Sequence, residues 1–179
     1  MRKLLNEELG RLDVAAFKKA SKIPFIVVLD NVRSLNNVGS AFRTSDAFRV
    51  ESVYLCGITA QPPHREIQKT ALGATESVDW KYFSTTAEAV NFLRTKNYRI
   101  IAIEQADESV ELQDFKIDLE KKYALIFGNE VKGVEEDVVA DADEVVEIPQ
   151  SGTKHSLNIA VSIGVVLWDL WVKIQKINK

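Results

Sequence analysis

Short apolar runs rich in β-branched residues alternate with helical patterns along this chain, and this alternation constrains the fold more than any other feature. Six runs predict strands: 25–29, 52–55, 78–83, 99–104, 123–127 and 145–148. Helical spacing lies between them, near 38–48, 64–72, 86–94 and 135–140. Because most of these runs have a continuous apolar stretch, the strands are expected to be buried on both faces. The sequence therefore predicts an α/β fold, a mainly parallel six-stranded sheet with helices on both faces.

Both ends of the chain are predicted to be helical. Near the N-terminus, apolar residues recur at helical spacing, at Leu4, Leu5, Leu9, Leu12 and Ala16. This helix must end before Pro24, because proline interrupts helices. The apolar stretch 157–172 contains polar residues and is shorter than the roughly 20 residues of a membrane span, so it predicts a buried helix. We expect one domain over residues 1–179, with a helical extension (1–23) and a core (24–179).

Cysteine and histidine content limits the possible chemistry. Cys56 is the single cysteine and lies in an apolar run, so neither a disulfide nor a cysteine metal site can form within one chain. His64 and His155 are the two histidines and are far apart in sequence, so no metal site is expected. The N-terminus has no continuous apolar segment of the kind found in secretory signals. We expect a cytoplasmic protein without a membrane association.

The net charge of −3 is unevenly distributed. Residues 1–69 contain 11 Lys/Arg and 7 Asp/Glu, a balance of +4, and the remaining 12 and 19 give residues 70–179 a balance of −7. A local basic surface can bind phosphates even on an acidic protein. The candidate RNA-binding residues are Arg2, Lys3, Arg11, Lys18, Lys19, Arg33 and Arg43. The simpler alternative for the N-terminal charges is a solvated helix face.

The first segment with chemical potential, residues 35–44, follows the first predicted strand. Asn37 stands at a helix start, where asparagine can cap free N–H groups, and Gly39 permits close backbone approach. Arg43 lies six residues after Asn37, less than two helical turns away, so both can border the cleft beyond the strand ends. An ordinary N-cap and a surface arginine are the alternative explanation.

The second segment is the turn Gly-Asn-Glu-Val-Lys-Gly at 128–133, directly after an apolar strand. Its backbone N–H groups could hold a ligand, and Glu130 is expected to point into the same cleft. The turn matches neither the dinucleotide fingerprint nor the Walker loop, so a nucleotide phosphate is not indicated. A plain strand-to-helix turn explains the pattern equally well.

The third segment, residues 146–161, joins the last strand to the last helix. Ser156 is a natural N-cap, and Asn158 is expected two positions inside an apolar helix, where asparagine is unfavourable. A polar side chain there needs a partner, because an unsatisfied group costs about 1–3 kcal/mol. The position suggests a functional role, with a hydrogen bond to a neighbouring loop as the alternative.

Together the three segments resemble the motifs of the SpoU (TrmH-like) family of RNA 2'-O-ribose methyltransferases: Asn-x-Gly-x-x-x-Arg-Thr, Phe-Gly-x-Glu-x-x-Gly and Ile-Pro-x-x-Gly-x-x-x-Ser-Leu-Asn. All three occur in order, and 69–74 resembles the family's intermediate segment. The resemblance covers residues 24–171. Each motif alone is weak evidence, whereas three in order are strong.

The resemblance implies a C-terminal trefoil knot, S-adenosylmethionine as cofactor, a homodimer and a structured RNA substrate. Because the chain is acidic overall and its basic surface is limited, tRNA is favoured over rRNA. The implied catalytic residues are Asn37, Arg43, Glu130, Ser156 and Asn158. The implied cofactor-binding residues are Ile103, Glu104, Phe127, Gly128, Asn129, Gly133, Ile148, Ser156 and Leu157. Arg43 would act as a base or as an electrostatic stabiliser of the ribose oxygen.

Two rival functions remain at this stage. A knotted RNA-binding or ribosome-assembly protein without catalysis would share the fold, but it would not need the catalytic ends of all three motifs. An oxidoreductase on an ordinary doubly wound sheet would need a glycine fingerprint after the first strand, which this sequence lacks.

Overall fold

A computed structural model describes residues 1–177 and contains seven strands and seven α-helices within that range. The strands are β1 (Ile23–Asp30), β2 (Val50–Cys56), β3 (Asp79–Phe83), β4 (Tyr98–Ile103), β5 (Val110–Glu111), β6 (Lys122–Phe127) and β7 (Glu144–Glu147). The α-helices are α1 (Val14–Lys19), α2 (Leu35–Ala47), α3 (Arg65–Ala71), α4 (Ala74–Ser77), α5 (Thr86–Thr95), α6 (Glu136–Asp141) and α7 (Ile159–Ile177). A 3₁₀-helix (Asn6–Leu9) precedes them.

The strands form one sheet in the order β3-β2-β1-β6-β4-β7-β5, and every pairing between neighbouring strands is parallel. The predicted parallel α/β sheet is confirmed, but the count of six strands is wrong. The additional strand, β5, has two residues paired with the end of β7. Two residues are too few to produce a recognisable period, so the sequence pattern missed this edge.

The central strands are covered on both faces, as predicted, but β3 at one edge of the sheet is mostly exposed, contrary to the prediction. Successive β1 residues alternate between two hydrophobic clusters, with Val27 in one and Val28 in the other. The first cluster is covered by α2, α3 and α7, and the second by α5 and α6. Side chains of a strand point alternately to opposite faces, which explains why continuous apolar runs were needed.

The N-terminal extension is not the single helix that its leucine spacing predicted. The 3₁₀-helix ends at Gly10, which has a left-handed φ of 58°. A new helix, α1, begins after Asp13, whose carboxylate caps the N–H of Ala16. Phe17 is buried in the core. The four predicted leucines are exposed, which explains why they do not hold one continuous helix: Leu4, Leu5, Leu9 and Leu12.

The C-terminal helix α7 packs one face against the sheet and α2. It begins at Ile159, two residues later than predicted, and its buried positions include Ile163, Leu167 and Leu170. Trp168 lies on the other face and is 56% exposed. Within residues 1–177, no helix combines the length and the apolar character needed to cross a membrane.

Gly39 serves the close approach of α2 and α3. A Cβ at this position would lie 2.1 Å from Thr70 Oγ1 and 2.2 Å from the Ile67 carbonyl oxygen. The Thr70 hydroxyl also donates to the carbonyl of Asn36 at 3.0 Å. The predicted close backbone approach is therefore to a neighbouring helix, and it fixes the start of α2 against α3.

Candidate functional site

A cavity opens beyond the carboxyl ends of β4, β6 and β7, where parallel sheets bind ligands. Its volume is about 560 Å³. Three segments form its walls: the end of β4, the turn after β6, and the connection from β7 into α7. All nine residues that the resemblance assigned to the cofactor line this cavity, and so do Glu130 and Asn158.

Glycines shape the turn after β6. A Cβ on Gly128 would lie 2.0 Å from both the Gly133 carbonyl carbon and the Val134 nitrogen. Gly133 has a φ of +72°, and a Cβ there would lie 2.2 Å from a carboxylate oxygen of Glu104. The turn can close this tightly only without side chains at its two ends.

Asn129 holds the turn in shape. Its backbone exchanges two hydrogen bonds with Gly133, at 2.8 and 2.9 Å. Its side-chain oxygen accepts from the N–H groups of Val131 and Lys132, and its amide donates to the carbonyl of Asn31 at 2.7 Å. Asn129 therefore lines the cavity while its side chain is already occupied within the protein.

Glu104 connects the β4 wall to the turn. One carboxylate oxygen accepts from the N–H of Val134, and the other accepts from the N–H of Gln105, both at 3.0 Å. Each oxygen keeps a further lone pair for a ligand. Glu104 thus places a fixed negative group beside the otherwise apolar side chains of Ile103 and Phe127.

Asn37, Glu130 and Asn158 form a hydrogen-bonded network that joins the three sequence segments. Asn37 donates through Nδ2 to Glu130 Oε1 at 3.1 Å. The Nδ2 group of Asn158 donates in turn to Asn37 Oδ1 at 3.2 Å. Asn37 thereby joins the polar residues of the other two segments at the rim of the cavity, although these residues lie 93 and 121 positions further along the chain.

Glu130 also accepts from the backbone ahead of α2. The N–H of Arg33 donates to Oε2 and that of Ser34 donates to Oε1, each at 3.0 Å. Partial burial alone would raise the pKa of Glu130, but the hydrogen bonds from Arg33, Asn37 and Ser34 outweigh it, and the pKa lies below its usual value. Glu130 is therefore an anchored carboxylate and a poor proton acceptor.

Two capping predictions are corrected. Ser34, not Asn37, is the N-cap of α2, since its hydroxyl accepts from the N–H of Asn37. Asn158, not Ser156, caps α7: its side-chain oxygen accepts from the N–H of Ala160 at 2.9 Å, and α7 begins at the next residue. Asn158 thus avoids the helix interior and offers its amide to Asn37. Ser156 is exposed and lines the cavity two residues earlier.

Arg43 lies apart from this network, contrary to the prediction that it borders the same cleft. It is exposed and lines a second depression of about 300 Å³ with Asp46, Glu76 and residues of α1. Six residues along a helix correspond to a rotation of about 240°, so Arg43 and Asn37 face different directions on α2. Within one chain, the structure therefore does not bring Arg43 to the cavity.

The profile of the SpoU rRNA methylase family matches residues 24–168, which is most of the chain. This chain belongs to the SpoU family. An "uncharacterized tRNA/rRNA methyltransferase" of Borreliella burgdorferi is 30% identical over 86% of this chain, which spans 66% of that relative's length. A tRNA (guanosine(18)-2'-O)-methyltransferase of the same organism is 24% identical, with coverages of 97% and 77%.

Solved structures agree with the SpoU assignment. The A. aeolicus TrmH/SpoU tRNA modifying enzyme has a TM-score of 0.78 at 25% identity, covering 90% of this chain and 80% of that chain. An AdoMet-bound rRNA methyltransferase from Sinorhizobium meliloti has a TM-score of 0.77 at 26% identity, with coverages of 86% and 58%.

The basic residues proposed to contact RNA are all exposed, but they are not equally available. Arg2 binds both carboxylate oxygens of Glu8, at 2.5 and 2.7 Å, and this arginine lowers the pKa of Glu8 to about 2. Arg33 follows β1 beside Glu130, whereas Lys18 and Lys19 end α1. Of these seven cations, none lines the cavity itself.

Sequence reasoning missed several residues that line the cavity, at free positions within the SpoU motifs or outside them: Gln105, Val131, Lys132, Gln150, His155, Ile159 and Ser162. The motifs leave these positions free, so only their place in the same loops could have indicated them. His155 stands at the cavity beside Ser156.

Proposed function

We propose that this SpoU-family protein is an S-adenosylmethionine-dependent enzyme that methylates a ribose 2'-hydroxyl in structured RNA. The Asn37–Glu130–Asn158 network carries the proposal, because it assembles one polar residue of each motif at the rim of one cavity. A knotted protein that only binds RNA would need a complementary surface but not this assembly. The 2'-O-methyltransferase relative and the AdoMet-bound structure support the same reading.

The cavity fits the cofactor in size and chemistry. Its volume of about 560 Å³ lies within the range of small-molecule sites, roughly 300–1,000 Å³. Ile103, Phe127, Ile148 and Leu157 offer apolar walls, and the glycine turn brings backbone close to the ligand. When bound, the sulfonium group of the cofactor supplies an activated methyl carbon. The protein must then position the ribose hydroxyl and stabilise its developing negative charge.

Within this proposal, the network orients groups and does not take the proton. Glu130 already accepts three hydrogen bonds, so it anchors Asn37 and the start of α2. Asn37 in turn fixes the amide of Asn158 at the rim. Ser156, exposed in the same wall, is available to the ribose or the cofactor.

Arg43 is proposed to stabilise charge on the ribose oxygen and to bind the adjacent phosphate. A guanidinium holds its proton too tightly to be an effective base, and its planar fork matches phosphate oxygens. Because Arg43 lies in a separate depression, a single chain does not combine it with the network. We therefore propose a homodimer in which a second subunit or the RNA itself completes the site.

Exposed apolar residues support a dimer that uses both terminal regions. Val161, Val165 and Trp168 line the outer face of α7, and Leu5 and Leu12 are exposed near the N-terminus. Large exposed apolar surfaces commonly mark interfaces. Light scattering should give the mass of two chains at micromolar concentration, and a monomer would remove this part of the proposal. The trefoil knot is also proposed; the return of 148–158 beside the turn after β6 supports it.

For the substrate we favour tRNA over rRNA. The candidate cations are few and the chain is acidic overall, and such a limited basic surface suits a small folded RNA that presents one unstacked nucleotide. The SpoU relatives named above include both tRNA and rRNA methyltransferases. Incubation with labelled cofactor and either bulk tRNA or protein-free rRNA from a deletion strain tests this choice. Label in rRNA alone would overturn it while leaving the chemistry intact.

Cofactor binding has its own test. Calorimetry should detect S-adenosylmethionine and its demethylated product, S-adenosylhomocysteine, because the cavity has apolar walls and a closely shaped backbone turn. NAD serves as the control for the oxidoreductase alternative. Binding of NAD without binding of either sulfur compound would refute the proposed function.

A further inference from the structure

We propose that Asn31, together with Asp30 beneath it, positions the cofactor turn (128–133) against the segment that leads into α2, and so holds Glu130 in place. We call these two residues the Asp30–Asn31 hub. The inference rests on the proposed function, since it assigns positioning residues to that site. Neither residue lines the cavity, so the hub acts through the residues that it holds.

Asp30 is the buried half of the hub. It ends β1 with no exposed surface, and its carboxyl group is surrounded by donors. The Thr86 hydroxyl at the start of α5 and the Asn31 amide donate to Oδ1, and the N–H of Glu135 ahead of α6 donates to Oδ2 at 2.8 Å. A buried carboxyl group is tolerated only with such partners. Asp30 thereby connects the carboxyl end of β1 to the starts of α5 and α6.

Asn31 extends these connections towards the cavity. Its side-chain amide donates to Asp30 at 2.9 Å and to Glu135 Oε1 at 2.8 Å, and its side-chain oxygen accepts from the N–H of Ile58 at 3.1 Å. Its φ of 54° is left-handed, a conformation that asparagine tolerates better than most residues. Gly57 leaves room for this side chain, since a Cβ there would lie 2.1 Å from Asn31 Oδ1.

Glu130 is held from two sides by segments that begin at the hub: through its neighbour Asn129 and through the backbone that leads into α2. The carbonyl of Asn31 accepts from Asn129, the residue directly before Glu130. Arg33 and Ser34, two and three residues after Asn31, donate their N–H groups to the Glu130 carboxylate. The hub therefore sets the distance between the turn and the start of α2, and this distance determines whether Glu130 reaches Asn37.

The decisive variant is Asn31→Gly. Glycine adopts the left-handed φ without strain, so the substitution deletes the side-chain hydrogen bonds while permitting the backbone shape. Asn97→Gly is a matched control, because Asn97 has a φ of 60° and is exposed at the opposite, amino end of the sheet before β4. Both variants should retain the cooperative unfolding of the parent protein.

Two measurements test the hub. Hydrogen exchange on the ligand-free protein should show amides 33–34 and 129–135 exchanging about tenfold faster in Asn31→Gly, but not in Asn97→Gly, since local opening governs exchange. Calorimetry with S-adenosylhomocysteine should show affinity about tenfold weaker in Asn31→Gly alone, as expected when a positioned wall is loosened by a fraction of an ångström. A role in global stability alone would lower the melting temperature without these local changes.

Asn31→Asp sharpens the test. Aspartate accepts from Ile58 and tolerates the left-handed φ, but it places a carboxylate against Asp30 and Glu135 instead of donating to both. We expect its effects to exceed those of Asn31→Gly. If hydrogen exchange is unchanged in both Asn31→Gly and Asn31→Asp, the proposed role of the hub is refuted, whatever the affinity for S-adenosylhomocysteine. Failure of the parent protein to bind S-adenosylhomocysteine would refute the proposed function, and exchange alone would then decide the hub.

Discussion

Replacing Asn37 by alanine should reduce methyl transfer far more than it reduces stability. Asn37 is the only member of the network that contacts both others, donating to Glu130 at 3.1 Å and accepting from Asn158 at 3.2 Å. Alanine removes both contacts and preserves the α2 backbone, because alanine favours helices. The Asn158 amide then loses the partner that directs it along the cavity rim.

The two effects differ in size for a structural reason. A neutral hydrogen bond contributes about 1 kcal/mol net, and one to a carboxylate contributes about twice as much. Glu130 and Asn158 are exposed, however, so water can replace Asn37 as a partner. We therefore expect a loss of roughly 1 kcal/mol in unfolding free energy, which corresponds to a melting temperature lower by about 2–4 °C. A displacement of about 1 Å at a reacting group costs on the order of 100-fold in rate.

The assay compares single-turnover methyl transfer, cofactor affinity and thermal unfolding. Asn36→Ala is the matched control: Asn36 is the adjacent asparagine on α2, is exposed and lies outside the network, and its backbone carbonyl still accepts from Thr70. Asn37→Asp should be more harmful than Asn37→Ala, because a second carboxylate would face Glu130. Transfer by Asn37→Ala within about twofold of the Asn36→Ala rate would refute the orienting role of the network.

Three further predictions address other parts of the site. Glu130→Gln should impair transfer, because an amide NH₂ would face the donors Arg33, Ser34 or Asn37. The pKa of Glu130 is lowered in the fold, so its contribution to stability should be full above its ordinary pKa. In a pH titration of unfolding, this contribution should disappear as pH falls through the folded-state pKa. Arg43→Ala and Arg43→Lys should both lose transfer, since a lysine lacks the planar fork of the guanidinium. Calorimetry should show unchanged S-adenosylhomocysteine affinity in both variants, because Arg43 lies outside the cavity. Full activity in either variant would contradict the role of Arg43. Replacing Lys18 and Lys19 by glutamine should flatten the salt dependence of RNA binding by roughly one to two units of slope, and an unchanged slope would exclude them from the RNA surface.

The sequence predicted the sheet well because its signal is local and repeated. The central strands β1, β2, β4 and β6 consist mostly of apolar residues, so the class, the parallel arrangement and the two covered faces followed directly. The prediction failed where an element was too short to show a period, or where burial depended on residues far away in the sequence. Strand β5 has only two residues, and the N-terminal leucines had the spacing of a helix but no surface to pack against.

The resemblance predicted eleven of the residues that line the cavity, but not how the site is arranged. The motifs named the residues around the cavity, yet the position of Arg43 depends on the rotation of α2 once Gly39 has seated that helix against α3. The capping roles of Ser34 and Asn158 depend on where the helices begin, which sequence patterns locate only to within a few residues. The hub could not be anticipated, because its partners come from three separate parts of the chain: the turn after β2, the start of α5 and the connection between β6 and α6.

For the proposed methyl transfer, the arrangement also limits where the proton of the ribose hydroxyl can go. In methyl transfer that oxygen gains a carbon and loses its proton, so an acceptor is required. Glu130 is occupied by three donors and has a lowered pKa, while the side chains of Asn37 and Asn158 are neutral amides. The network therefore cannot be the general base, and the acceptor must be a substrate phosphate, solvent or a group brought from outside it. Arg43, beside a phosphate, would then favour the reaction by stabilising the oxygen anion. A separately positioned cation can fill this role once a second subunit or the RNA brings that cation to the cavity.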